Sequence, residues 1–271
     1  MIVKNNWVKF LVLIFIVICG AWQNKQERQI KIFLLAGQSN MEGCGIVKYR
    51  PDSYATPPEN VITWDAQNMK WSALETDSFA VKRDSLFGPE IGFSHLMAKA
   101  YPDCTIAIIK TAGGGTTLWK HWRQEGFMYK RFISNMENAL QQLNESGAVY
   151  EVSGMLWMQG ETDAEILEKA KEYEVNLPVL INNVRKLTQK ESLPFVMGRI
   201  SSSLLKETPW NFDQTVYVQK SQENVAAKDS NVFIINTDHL TTWDDNTHFD
   251  ARSQIWLGNE MGEIMMNRMN K

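Results

Sequence analysis

Three residue types that together can transfer an acyl group lie in two short stretches of this chain. Ser39 sits in "KIFLLAGQSNMEG" (31–43), where an apolar run climbs into a glycine and then meets Gln38, Ser39 and Asn40. Asp245 and His248 are three positions apart in "DDNTHF". A serine hydroxyl becomes a nucleophile when an imidazole can take its proton and a carboxylate accepts the other ring N–H. One short loop supplies both partners when two residues separate Asp from His, and Asp244 is an alternative carboxylate. Each signal has a plainer reading. Ser39 could cap the next helix, and D-x-x-H also arises where an Asp caps one.

Other groups widen the choice. "GGG" at 113–115 permits unusual φ angles and close backbone approach, so its N–H groups could meet a developing oxyanion; an ordinary turn is the alternative. Gln159 in "WMQGETD" could donate to the same oxyanion, a contact worth about 3 kcal/mol, or could simply finish a strand. Asp238, His239, Asp244, Asp245 and His248 suit a divalent metal by type, without H-E-x-x-H or similar spacing. Cys44 lies close to Ser39 and reads as a small buried filler; with Cys104 it makes neither a disulfide framework nor a metal pair. A non-catalytic sugar-binding module would use exposed tryptophans, and Trp119, Trp122, Trp210 and Trp243 are those near strand ends.

The elements that must position these groups are five apolar segments: 30–37, 104–112, 152–160, 194–201 and 231–238. Each is nearly continuous in apolar residues, as strands covered on both faces are. Helical spacing runs through 88–102, opened by Pro89, and through 126–146. It recurs in 164–189, where Pro178 should kink or split the helix, and in the Met-rich 250–269, whose stripe reads as core. The alternation predicts an α/β fold: a three-layer α/β/α sandwich on a five-stranded parallel sheet, with right-handed crossovers. Residues 43–87 form one long irregular stretch, with a small hairpin around Trp64 and Trp71. In open α/β sheets, sites gather at the carboxyl ends of the strands. "GQSNMEG", "AGGGTTLW", "WMQGETD" and "DHLTTWDDNTHFD" all fall there, and this shared placement weighs more than any single motif.

The 271 residues suffice for one large core, and a net charge of −3 without a basic run argues against a nucleic-acid partner. The first residues differ from the rest. "MIVKNNWVK", then "FLVLIFIVICGA", then a polar "QNKQER" read as a signal peptide over 1–21, leaving 22–271 as a single domain, secreted or periplasmic. The apolar run is shorter than the ~20 residues of a spanning helix, so no stable membrane insertion is expected after its removal. A retained anchor and a lipid-modified Cys19 are the alternatives; Ile18 stands where the lipid-attachment pattern wants a small residue.

"LLAGQSNMEG", "FGPEIGF", "WMQGETD" and "DNTHF" resemble, in order and spacing, the SGNH hydrolases, and more narrowly the carbohydrate branch with sialate O-acetylesterases and acetylxylan esterases. The resemblance runs from about residue 30 to the end. It implies the flavodoxin-like strand order 2-1-3-4-5, hydrolysis of O-acetyl esters on carbohydrate, and no cofactor or metal. It implies Ser39 as nucleophile, His248 as general base and Asp245 as its orienting carboxylate. The oxyanion hole would be the N–H of Ser39, a glycine N–H from Gly114 or Gly115, and Gln159. Gln38, Asn40 and Glu161 lie inside the matched motifs as supporting residues, with Glu161 and Asp163 expected to brace their loop. Two positions depart from the pattern: "FDARSQ" replaces a small-residue run ending Gly-Gln, and "AGGGT" has glycine where a larger residue is common. Neither removes a catalytic group.

Overall fold

Residues whose side chains find apolar partners on both sides form the middle of the sheet. The computed structural model describes residues 28–75 and 86–270, so the leader assigned to 1–21 lies outside the described residues. In chain order the strands are β1 (Ile30–Gly37), β2 (Gly45–Ile46), β3 (Val61–Asp65), β4 (Lys70–Ala73), β5 (Leu86–Phe87), β6 (Thr105–Ala112), β7 (Tyr150–Met158), β8 (Phe195–Gly198) and β9 (Val232–Ile235). The helices are α1 (Ser39–Glu42), α2 (Glu90–Ala100), α3 (Phe127–Ser146), α4 (Leu167–Leu187), α5 (Thr215–Lys228) and α6 (Ala251–Met269). β1 pairs in parallel with β6 on one side and β7 on the other, and Phe33, Leu34 and Leu35 are wholly buried. α2 packs on α6, α4 packs on α5, and α3 lies against β6.

The main sheet runs β4-β3-β6-β1-β7-β8-β9. Its five central and C-terminal strands, β6-β1-β7-β8-β9, follow the order 2-1-3-4-5. The sheet has seven strands rather than five, because the irregular stretch supplies a hairpin that docks on the open edge of β6. β3 pairs in parallel with β6 over Val61–Thr63, and β4 returns antiparallel with Trp64 opposite Trp71. Asp65 shapes the turn by accepting the N–H groups of Gln67 and Asn68, each at 3.0 Å. A two-stranded ribbon is barely stable alone, so this one completes the sheet.

Two helices depart from the expectation. α4 remains one helix through Pro178, because Tyr173 and Leu177 before it and Leu180, Ile181 and Val184 after it are buried on one face. α5 has no apolar stripe to announce it. Its inward face carries Thr215, Gln219, Ser221 and Gln222, and the last offers Oε1 to the N–H of Ile200 at 2.9 Å. The methionines of α6 are core, as their spacing suggests: Met261 and Met265 are fully buried, the latter against Gly154.

At the carboxyl end of β1 the chain must leave the sheet at once. The N–H of Gln38 donates to Met158 O at 2.9 Å, and a Cβ on Gly37 would sit 2.0 Å from that same oxygen. Gly37→Ala should therefore cost about 3 kcal/mol or more by denaturant unfolding. Gly147→Ala at the left-handed end of α3, where an added Cβ meets nothing, should cost about 1 kcal/mol.

Candidate active site

Ser39 opens α1, a single helical turn. The N–H groups of Met41 and Glu42 close it on Gln38 O, and that of Gly43 on Ser39 O. As the first residue of the turn, Ser39 has an N–H with no intrahelical acceptor. Its side chain does not cap the turn. Instead Oγ lies 3.1 Å from Nε2 of His248. On the other side of the imidazole, Nδ1 lies 2.7 Å from Asp245 Oδ2.

The Asp and His share a tight loop. Asp245 Oδ1 accepts the backbone N–H groups of both Thr247 and His248 at 2.9 Å, with Asn246, between Asp245 and Thr247, in the left-handed region at φ 52°. Burial pushes the Asp245 carboxyl up, but bonds from the His248 backbone and ring and from Thr247 outweigh it and hold the group below the ordinary carboxylate range. It is therefore ionised at neutral pH. The loop is gripped at both ends: Trp243 N–H donates to His248 O at 2.8 Å, and Asp250 caps α6 through the N–H of Ser253.

Asn40 joins the two halves. Its Nδ2 donates to Thr247 O at 3.0 Å and to Glu161 Oε1 at 2.8 Å, and its Oδ1 accepts the N–H of Phe249 at 2.9 Å. Glu161 is almost wholly buried; burial pushes its carboxyl above the ordinary value, and its second oxygen has no hydrogen-bond partner. Gln38 binds α1 to the end of β7 in the same way. Its Oε1 accepts from Gly160 N and from Gln159 Nε2, each at 3.2 Å.

The expected oxyanion donors are arranged differently. Gln159 is fully buried, and its Nε2 lies 2.6 Å from Asp163 Oδ2, 3.0 Å from Thr116 O and 3.2 Å from Gln38 Oε1. Its two N–H groups are thus engaged away from Ser39, and it braces the strand ends. Gly114 borders Ser39, since a Cβ there would lie 3.7 Å from Ser39 Cβ, but its N–H donates to Glu42 Oε2 at 2.8 Å. Gly115 is exposed at φ 68° with open space beside it. Asp163 accepts the N–H groups of Leu118 and Trp119 at 2.9 Å, and burial raises its carboxyl to about 6. It ties the loop after β6 to the loop after β7.

Three groups here went unremarked in the sequence. Lys110, Glu90 and Glu42 form a buried chain in which Lys110 Nζ donates to Glu90 Oε2 at 2.6 Å and to Glu42 O at 2.8 Å. A lysine inside the apolar "AIIKTA" was the available signal, because a buried cation requires a partner.

The metal-type cluster is dispersed. Asp238 pairs with Arg199, His239 meets Trp256 edge-on with ring centres 4.2 Å apart, and Asp244 is exposed. Among the described residues no three His, Cys, Asp or Glu side chains are grouped to hold an ion. Burial pushes the Cys44 thiol up to about 12, and it donates to Ser39 O, so it stays a thiol. Trp122 is core, against Trp157. Trp210 and Trp243 both lie beside His248.

A hydroxyl, an imidazole and a carboxylate thus stand in one hydrogen-bonded line at the carboxyl edge of a mostly parallel α/β sheet. Residues 29–267 match the carbohydrate esterases described as sialic acid-specific acetylesterases, and the chain belongs to that family. It is a carboxylic ester hydrolase acting on acetylated carbohydrate. A probable carbohydrate esterase of Arabidopsis thaliana is 26% identical over 254 residues, 88% of this chain and 90% of that one. A crystal structure of an Arabidopsis thaliana protein matches with a TM-score of 0.73 at 23% identity, over 88% of this chain and 98% of that one. NanS matches at 0.65 and 13% identity, over 90% and 98% of the two chains. A carbohydrate acetylesterase from Xanthomonas citri matches at 0.58 and 15% identity, over 85% and 55%. Among the described residues no helix is long and apolar enough to cross a membrane.

Replacing Asn40 with Ala should leave the Phe249 N–H and Glu161 unpaired. Unfolding and kinetics should together read a loss of about 3 kcal/mol in stability and a fall in kcat. Glu161→Gln keeps the acceptor oxygen and should stay close to wild type, whereas Glu161→Ala should behave like the Asn40 variant.

Proposed function

We propose that the domain over residues 22–271 removes O-acetyl groups from acetylated sialic acid, xylan or a related glycan through an acyl-enzyme on Ser39. The observation that carries the reading is the continuous line from Ser39 Oγ through His248 to Asp245. His248 Nε2 takes the Ser39 proton as Oγ attacks the acetyl carbonyl, and Asp245 balances the imidazolium. The tetrahedral oxyanion is met by the N–H of Ser39, at the start of a helical turn, and by the 114–115 turn. Gly114 can contribute only when Glu42 releases its N–H. Gln159 acts by holding Gln38 and Thr116 in place. His248 then returns the proton to the sugar oxygen, the bond from carbonyl carbon to that oxygen breaks, and the alcohol leaves. Water attacks the acetyl-serine with His248 again as base, and acetate departs. The charged, apolar and small-residue pattern of 1–21 supports action outside the cytosol.

A fluorophosphonate probe should label Ser39 in the wild type and nothing in Ser39→Ala. Ser39→Ala and His248→Ala should each lower kcat by about 10⁴-fold or more on a small acetyl ester. Asp245→Ala should retain more activity, and His239→Ala should be milder still, because His239 packs on Trp256. Activity should survive prolonged chelation. A His239 variant worse than the His248 variant would reassign the base.

A further inference from the structure

The proton that His248 returns must reach the sugar oxygen, so that oxygen comes within about 3 Å of Nε2. The sugar ring bonded to it then lies over whatever surrounds the imidazole. One large apolar surface there is open. Trp210 is 45% exposed, and its ring centre lies 5.5 Å from that of His248 with the planes at 88°. Trp243 is farther, at 6.4 Å, partly buried and tied into the loop through its N–H.

Trp210 stands on a segment fastened in place. Phe212 is buried behind it at 6.2 Å, Asn246 Nδ2 donates to Glu207 O at 2.8 Å, and Gln214 N–H donates to Ala164 O at 2.8 Å. Asn246 lies inside the Asp245–His248 loop, so platform and base move together. An indole left exposed beside a catalytic imidazole, and braced from behind, suits the C–H face of a pyranose, whose polarised hydrogens meet the electron-rich ring. The carboxylates on the two flanking segments outnumber the cations that reach them, Arg199 being taken up by Asp238. Segments 207–214 and 238–250 contain no Lys or Arg, and Glu207, Asp213 and Asp244 on them are exposed; Lys206 at the border is the cation nearest in sequence. Exposed carboxylates disfavour an anionic ring, and salt weakens that effect.

We propose that Trp210 is the platform for the leaving sugar ring and that the carboxylates on the two flanking segments select an uncharged ring; the proposal rests on the acyl-transfer reading above. It places the acetyl group on the Ser39 side and an uncharged pyranoside on the Trp210 side.

The test compares ethyl acetate, an acetylated methyl pyranoside and an O-acetylated sialic acid as substrates for the wild type, Trp210→Ala and Trp210→Phe. Calorimetry of the pyranoside on Ser39→Ala, with and without Trp210→Ala, reads binding without turnover. Trp210→Ala should raise KM for the pyranoside and lower its kcat/KM about tenfold more than that for ethyl acetate, with Trp210→Phe restoring most of the loss. The wild type should prefer the pyranoside to the sialic acid, and added salt should narrow the gap. Equal losses on both esters would make Trp210 a mere support for His248 and overturn the platform, as would no loss on the sugar. Preference for the sialic acid would overturn the selection. A wild type inert on every ester would defeat the acyl-transfer reading instead, and calorimetry would still decide Trp210: about tenfold weaker binding without the indole supports it, and equal binding overturns it.

Discussion

The carboxamide of Asn40 is the fastening on which this site depends. Ser39 stands at the end of β1, in the middle of the sheet, while His248 arrives from beyond β9 at its edge. Three strand spacings separate β1 from β9, about 14 Å. The chain after β9 must fold back across the carboxyl ends of β8 and β7 to reach the hydroxyl. Asn40 receives it there, bonding Thr247 O on one side of His248 and Phe249 N–H on the other. A 3.1 Å contact between groups 209 residues apart in sequence thus rests on neighbours of each, held to one amide. Glu161 supplies the amide's remaining partner.

Around that amide the structure buries polar groups that most cores exclude. Glu161, Gln159, Asp163, Gln38 and the Lys110–Glu90 pair all lie below the surface. Each connects loops from different strands: Asp163 holds the loop after β6 and Gln38 the end of β7, while Lys110 and Glu90 hold the far end of α1. Removing one partner of such a bond leaves the other unsatisfied, so the network resists local opening. The cost is burial of carboxyls, which pushes Asp163 and Glu161 above their ordinary values. Rigidity of this kind holds the Ser39 hydroxyl on its one-turn helix against His248.

Much of the frame was legible in the sequence because hydrophobic continuity marks strands buried on both faces. β1, β6, β8 and β9 fall inside their apolar segments, β7 starts two residues ahead of 152–160, and the chemical residues cluster just beyond them. What escaped did so for identifiable reasons. The hairpin β3–β4 was visible as two tryptophans, but its attachment to β6 is a property of a vacant sheet edge. α5 buries glutamines and hydroxyls, so no apolar period marks it. Pro178 signalled a break that packing on both sides of it overrides. Gln159 carries an oxyanion donor's chemistry, but its direction is set by Asp163 and Thr116, which spacing cannot reveal. Asn40 sat beside Ser39 in plain view, and only the folded geometry shows that it reaches Thr247 and Phe249.

Trapping an acetyl group on Ser39 tests the proposed acyl transfer most directly. The full-length protein would be mixed rapidly with an acetyl ester, quenched in acid within the first turnover, and digested for peptide mass mapping. One acetyl group on the peptide bearing Ser39, forming no more slowly than steady-state turnover and vanishing as substrate runs out, is the predicted result. Turnover with no acetylated peptide at any quench time, or acetyl found on another residue at the turnover rate, would contradict it.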